Sequence, residues 1–215
     1  MATQEEELSA VFSGFLKNAP DDAKNPILAA TADIVASFDR SAAIQEGQPL
    51  PAFQLPDALG KTVSSTELLK KGPILITFYR GTWCPFCNIA LAHLQKHLAA
   101  FAALGVTVVA ISPELPDTSL SETEKRGLTF PVLSDVGNAY ARTLGIVWTQ
   151  PDTLRPVFAK FGHNVAARNG DDSFAVPVPT TLLVDGAGVV RRAYIEPDYK
   201  KRLDPTVALQ WAREL

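Results

Sequence analysis

Cys84 and Cys87 are the only cysteines in the chain, and two residues separate them. A structural zinc site needs about four ligands. No second cysteine pair follows, and His93, His97 and His163 show no spacing that would complete a set. A disulfide-stapled secreted scaffold carries more cysteines, spread along the chain. Two readings remain. The pair is redox-active, or it is a buried structural pair, since cysteine is often a core residue.

The flanking residues favour redox chemistry. The segment runs Phe78-Tyr79-Arg80-Gly81-Thr82-Trp83-Cys84-Pro85-Phe86-Cys87. An apolar run reading as a strand delivers the chain to Arg80, Gly81 and Thr82, and a helix is expected to begin near Cys84. Unpaired N–H groups and the dipole at a helix start favour negative charge, so a cysteine there should be more acidic than a free thiol. Two intervening residues on a first helical turn bring the sulfurs within bonding reach. The first cysteine is expected to be the more exposed and to attack, and the second to resolve. Pro85 fits the first helical position without sacrificing a needed N–H. Arg80 is a candidate to hold a thiolate or else a surface cation, Thr82 sits beside the pair, and Trp83 is expected to flank it. Pro179, just before a strand-like run, fits a strand's first position, where no ladder donor is needed.

The elements that must position these residues can be read from periodicity. Residues 1–45 read as a helical extension, with Leu8, Val11, Phe12, Phe15 and Leu16 at helical spacing. A break follows over Asn18–Pro26, then a second helix from Ile27 to Phe38. Residues 46–215 read as the main domain. Phe53–Leu55 and Thr62–Val63 are short strand candidates, and Ser65–Lys70 a single helical turn. The apolar runs Ile74–Tyr79 and Val106–Ile111 look like strands covered on both faces, and the helix between them, with Ile89, Leu91, Leu94, Leu98 and Phe101, makes a βαβ unit. Ser119–Lys125 and Gly137–Leu144 read as helices, with a strand at Phe130–Leu133. The poorly patterned stretch 146–178 is long for a bare connection, so it should hold some helix or cover the site. Thr180–Val184 and Val189–Tyr194 around a Gly-rich turn form a hairpin, and Asp204-Pro205 opens a final helix. The fold class is α/β: a mixed sheet with helices on both faces.

Composition narrows the rest. Of 215 residues, 47% are hydrophobic and the net charge is -3, which suits a chain with a full core and gives no basic stripe for nucleic acid. The acidic start is followed by no apolar leader, and the longest apolar runs are of strand length. The expectation is a cytoplasmic protein bound neither to membrane nor to nucleic acid. No phosphate-cradling glycine loop or other cofactor motif is visible, so no cofactor is expected.

Trp83-Cys84-Pro85-Phe86-Cys87 before a helix, with Val178-Pro179-Thr180 before the hairpin, resembles the thioredoxin superfamily. That resemblance implies a thioredoxin-like fold, Cys84 as nucleophile, Cys87 as resolving residue, and a cis Pro179 facing the pair. Gly47-Gln48-Pro49-Leu50-Pro51-Ala52-Phe53-Gln54-Leu55-Pro56-Asp57, Phe130-Pro131-Val132-Leu133-Ser134-Asp135 and Leu182-Leu183-Val184-Asp185-Gly186 narrow it to the peroxiredoxin branch, the alkyl hydroperoxide reductase/thiol-specific antioxidant-like proteins. Asn169-Gly170-Asp171-Asp172 and Asp198-Tyr199 are similar to a peroxiredoxin-like subgroup. The similarity covers roughly 46–203.

The chain also departs from that branch. Aligning Phe78-Tyr79 puts Arg80 at the family's proline, Cys84 at its threonine and Cys87 at its peroxide-reacting cysteine, while the family's later arginine falls on Pro179. Either Arg80 substitutes for that arginine or peroxide is not the main substrate. The two alignments also name different attacking sulfurs, Cys84 or Cys87. The resemblance implies a thiol peroxidase of the cell's redox homeostasis, acting on hydrogen peroxide or organic hydroperoxides and recycled by thioredoxin or a small thiol. Dimerisation is implied by family similarity alone. The competing readings are a general thiol–disulfide oxidoreductase and a non-enzymatic interaction protein on the same scaffold.

Overall fold

The computed structural model describes residues 2–116 and 127–215. Strands β3 (Ile74–Phe78), β4 (Thr107–Ser112), β5 (Val132–Ser134), β8 (Thr180–Val184) and β9 (Val190–Ile195) form a five-stranded sheet in the order β5-β4-β3-β8-β9. β3 runs parallel to β4, and β4 to β5. β8 is antiparallel to both β3 and β9. This is the mixed sheet of the thioredoxin-like fold. β1 (Gln54–Pro56) pairs with β2 (Thr62–Ser64), and β6 (Val147–Thr149) with β7 (Ala175–Pro177), as two small antiparallel ribbons.

The near-continuous apolar runs follow from burial on both sheet faces. Ile74, Ile76 and Phe78 of β3 join one core, with Val109 and Ile111 of β4. Leu75 joins the other, with Val108 and Ala110. Side chains alternate across a strand, so each face receives every second residue, and the one polar side chain of β3, Thr77, pairs with Thr181 of β8 at 3.3 Å. Helix α4 (Pro85–Ala103) crosses from β3 to β4 and buries Leu91, Leu94 and Phe101. Its core also holds Ala208 and Leu209 of the last helix, α8 (Pro205–Arg213), whose Asp204 cap accepts from the Thr206 N–H. The short helices α3 (Ser65–Leu69) and α5 (Ala139–Thr143) serve the opposite core, through Leu68 and Ala141.

The N-terminal residues form α1 (Gln4–Asn18), closed by a Thr3/Glu6 capping box, and α2 (Asp21–Ser37). The helical break is confined to Ala19 and Pro20, so the expected interruption over Asn18–Pro26 is too long. Asp21 and Asp22 suit the positive end of a helix dipole and start α2 early, with Pro26 inside it. α1 is tied to the main body: His93 Nε2 of α4 lies 3.1 Å from Glu7 Oε1, and Gln4 Nε2 donates to the Leu203 carbonyl at 3.0 Å.

The stretch 146–178 holds β6, the short helices α6 (Arg155–Lys160) and α7 (Val165–Asn169), and β7. The expected helix over Ser119–Lys125 lies outside the described residues. Gly137–Leu144 opens with a 3-10 turn at Val136–Asn138, and α5 follows.

Parallel pairing sets up the site. Because β3 and β4 point the same way, the segments leaving them, Tyr79–Cys84 and Pro113–Pro116, emerge at one edge. The antiparallel register of Phe78 opposite Thr180 brings Pro179 to that same edge. There are no cis peptide bonds among the described residues, so Pro179 is trans, not cis as the superfamily resemblance implies.

Candidate active site

The turn out of β3 is shaped by close approach. Gly81 has φ +146°, and a Cβ there would sit 2.4 Å from Trp83 Nε1 and 3.1 Å from Glu114 Cδ. Only glycine fits such a crowded left-handed position. The chain then closes on itself: the Cys84 N–H donates to the Gly81 carbonyl at 3.1 Å. Asn88 Nδ2 in the first turns of α4 donates to the Thr82 carbonyl at 2.8 Å.

Thr82 is held from the neighbouring strand's exit. Glu114, fully buried, accepts from the Thr82 N–H at 2.8 Å and from Thr82 Oγ1 at 2.9 Å. Arg168 Nη1 donates to Thr82 Oγ1 at 3.1 Å and lies 3.6 Å from Glu114 Oε1. Burial pushes the Glu114 carboxyl up, against the opposing pull of Thr82 and Arg168.

Cys84 caps α4, with Pro85 in the first helical position. Both cysteines are free thiols, and both are fully buried. The expectation of an exposed first cysteine is therefore corrected. The reason is aromatic and helical cover: Trp83 and Phe86 are themselves buried around the motif, and Trp83 packs on Phe158 at 5.0 Å between ring centroids.

The sulfurs do not lie in purely apolar packing. Arg80 Nη2 donates to the Cys84 sulfur at 3.1 Å, and Arg202 Nη2 to the Cys87 sulfur at 3.2 Å. Arg80 is no surface cation; only 5% of it is exposed. Its guanidinium carbon lies 3.8 Å from the Tyr199 ring centroid and 4.9 Å from that of Trp83, so two aromatic faces help offset its desolvation.

The two thiols are driven apart. Burial opposes ionisation of Cys84, but the hydrogen bond from Cys87 and the charges of Arg80 and Arg202 outweigh it and hold Cys84 well below the usual thiol range. Burial and the neighbouring Cys84 thiolate push Cys87 well above it. The pair thus differs in acidity, with Cys84 the readier of the two to ionise.

All five supporting residues named from sequence fall at this edge of the sheet. Arg80, Thr82, Trp83 and Pro85 belong to the turn and the first position of α4, and Pro179 starts the strand beside them. The sequence reading missed Arg202, Glu114 and Arg168, and it noted Tyr199 only as part of a resemblance. Among the described residues no group of three or more His, Cys, Asp or Glu side chains could share a metal ion. No helix among them is long and apolar enough to cross a membrane.

Comparison with known proteins gives the family. Residues 46–193 match the model of the AhpC/TSA family. A chloroplastic peroxiredoxin Q of Populus jackii is 31% identical over 171 residues, covering 78% of this chain and 68% of its own length. A Mycobacterium tuberculosis protein named as a peroxiredoxin is 36% identical over 89 residues, 41% of this chain; the match spans only 56% of that relative's length. Among solved structures, the peroxidoxin BcpB of Mycobacterium tuberculosis superposes with a TM-score of 0.61 at 21% identity, over 80% of this chain and 98% of that one. The chain belongs to the AhpC/TSA family, as a peroxiredoxin-like member of the thioredoxin superfamily.

Proposed function

We propose that this protein is a thiol peroxidase in which Cys84 attacks the hydroperoxide and Cys87 resolves. The observation that carries the proposal is the buried contact of Arg80 with the Cys84 sulfur, at 3.1 Å. It favours the thiolate form of Cys84 in a place that only a small reactant reaches.

The chemistry balances within the pair. The Cys84 thiolate attacks the outer peroxide oxygen; an S–O bond forms and the O–O bond breaks. Sulfur is oxidised to sulfenic acid, and the departing alkoxide or hydroxide takes up a proton and leaves as alcohol or water. The Cys87 sulfur then displaces the sulfenic oxygen as water and closes a Cys84–Cys87 disulfide. An external thiol donor, thioredoxin or a small thiol, returns two electrons and restores both thiols. Arg80 and Arg202, one on each sulfur, take the place of the family arginine that aligns with Pro179.

Burial of the motif favours this reading over a general thiol–disulfide oxidoreductase. A protein disulfide must bring its own sulfur to the attacking thiolate, and Cys84 has no exposed surface in the reduced fold; the same burial favours a small thiol over thioredoxin as the donor that recycles the pair. The assay is consumption of hydrogen peroxide and of an organic hydroperoxide with a dithiol donor. Wild type should turn both over, and the Cys84→Ser, Cys87→Ser double variant should fall to the uncatalysed rate. Equal rates for the two proteins would refute the proposal.

A further inference from the structure

Beside the motif lies a half-open apolar chamber of ≈ 400 Å³. Part of its wall comes from outside the residues that match the family: Val11 and Phe15 of α1, and Ile27 and Ala30 of α2. Phe158 and Phe161, in the stretch 146–178, close another side. The volume sits within the range of small-ligand sites, roughly 300–1,000 Å³.

The chamber meets the active site at one point. Trp83, Pro85 and Phe86, which bracket Cys84 in the chain, line it, and so does Arg80. Neither cysteine does. Arg80 therefore stands at the threshold, lining the chamber while its Nη2 holds the Cys84 sulfur. Its Nε–H is buried and has no hydrogen-bond partner among the described residues. In the planar guanidinium fork, Nε and Nη2 share an edge. An edge that donates to a sulfur from one nitrogen and is unsatisfied at the other can receive an oxygen beside that sulfur. A buried unpaired donor is costly unless something fills the vacancy.

We infer that this chamber, built in part by the N-terminal helices, is a binding site for the apolar body of an organic hydroperoxide, with Arg80 Nε receiving its peroxide oxygen beside Cys84. The inference rests on the peroxidase reading and adds the residues that select among hydroperoxides. Val11, Phe15, Ile27, Ala30, Phe158 and Phe161 set the size and polarity of what enters. Hydrogen peroxide has no apolar body and gains nothing from these walls, whereas an aryl group of about nine carbons loses its water-exposed apolar surface there. The N-terminal helices thereby acquire a function in substrate selection.

The test has a binding arm and a turnover arm. The probe for binding is cumyl alcohol, the unreactive alcohol corresponding to cumene hydroperoxide, titrated against the full-length reduced protein. Trp83 and Trp148 both line the chamber, so tryptophan fluorescence reports occupancy. Saturable binding to wild type is expected, weakened about tenfold or more in Ala30→Phe, which fills the chamber, and about fivefold in Phe161→Ala, which removes part of its wall. Phe161 is 42% exposed, so its truncation remains informative if Ala30→Phe does not fold. In the turnover arm, the ratio of kcat/KM for cumene hydroperoxide to that for hydrogen peroxide should fall by similar factors in each variant.

Peroxide turnover without saturable binding, or binding and ratios unchanged in the folded variants, would overturn the chamber assignment and leave the peroxidase reading standing. Saturable binding with no turnover of either peroxide would overturn the peroxidase reading, and with it the substrate named here.

Discussion

Arg202 Nη2 lies 3.2 Å from the Cys87 sulfur across 115 positions of sequence. Arg202 lies beyond β9, past the residues that match the AhpC/TSA family. Its Nη1 is fixed by the Tyr199 and Lys201 carbonyls. A cation anchored by its own loop favours the Cys87 thiolate at the moment that sulfur must act.

Arg202→Ala should therefore slow resolution more than peroxide attack. Without the guanidinium, Cys87 is pushed further above the ordinary thiol range, and closure of the disulfide at neutral pH should slow by about tenfold. The sulfenic acid on Cys84 should then last long enough to be trapped by dimedone in higher yield than in wild type. Equal trapping would show that Arg202 does not govern this step.

After the Cys87 hydrogen bond, Arg80 is the chief group that lowers the Cys84 thiol, and the sign of the pH effect follows. A thiol held below its usual range stays ionised to lower pH, so the peroxide reaction should reach its plateau at a lower pH than an ordinary thiol's and fall on further acidification. An ordinary thiol would instead keep gaining reactivity up to about pH 8.5. Arg80→Gln removes the hydrogen bond and charge, so the profile should move alkaline and the rate at neutral pH should drop about tenfold or more. Arg80→Lys keeps the charge but not the planar fork, and should recover part of the pH profile. Stopped-flow rates across pH distinguish these outcomes.

Gly81 predicts a cost in stability. Its φ of +146°, with Trp83 Nε1 2.4 Å from any added Cβ, means that Gly81→Ala must shift the indole or the backbone. The expected loss is about 1–3 kcal/mol, read as a lower urea midpoint with the slope unchanged. A midpoint within error of wild type would show that the turn relaxes freely.

The sheet was legible because its strands obey a strong rule. Ile74–Phe78 and Thr107–Ser112 are buried on both faces, so almost every position is apolar and the βαβ unit stands out. Strand edges were off by a residue or two because Tyr79 and Val106 are also buried, though they lie outside the ladders. The helix start at Cys84-Pro85 was readable from the apolar face that follows and from Pro85, which suits a first helical position. The burial of Cys84 was not, because the neighbouring Trp83 is itself packed against Phe158, far away in sequence.

The missed residues share a physical cause. Glu114 follows Ser112-Pro113 at the end of β4, and only the parallel pairing of β3 with β4 brings it to Thr82. Its one sequence signal was a carboxylate directly after a buried strand. Arg202 and Arg168 lie in charged or irregular stretches where an arginine at the site looks like any surface arginine. For Tyr199 the resemblance around Asp198-Tyr199 was the only pointer.

The central claim is that Cys84, not Cys87, attacks first, and single-turnover oxidation by hydrogen peroxide tests it most directly. Reduced Cys84→Ser and Cys87→Ser proteins are mixed with peroxide in a stopped-flow instrument, and oxidised sulfur is identified by dimedone labelling. The account predicts that Cys87→Ser keeps the fast first phase and stops at a labelled Cys84 sulfenic acid, while Cys84→Ser loses that phase. A fast phase retained in Cys84→Ser, with the label on Cys87, would contradict it.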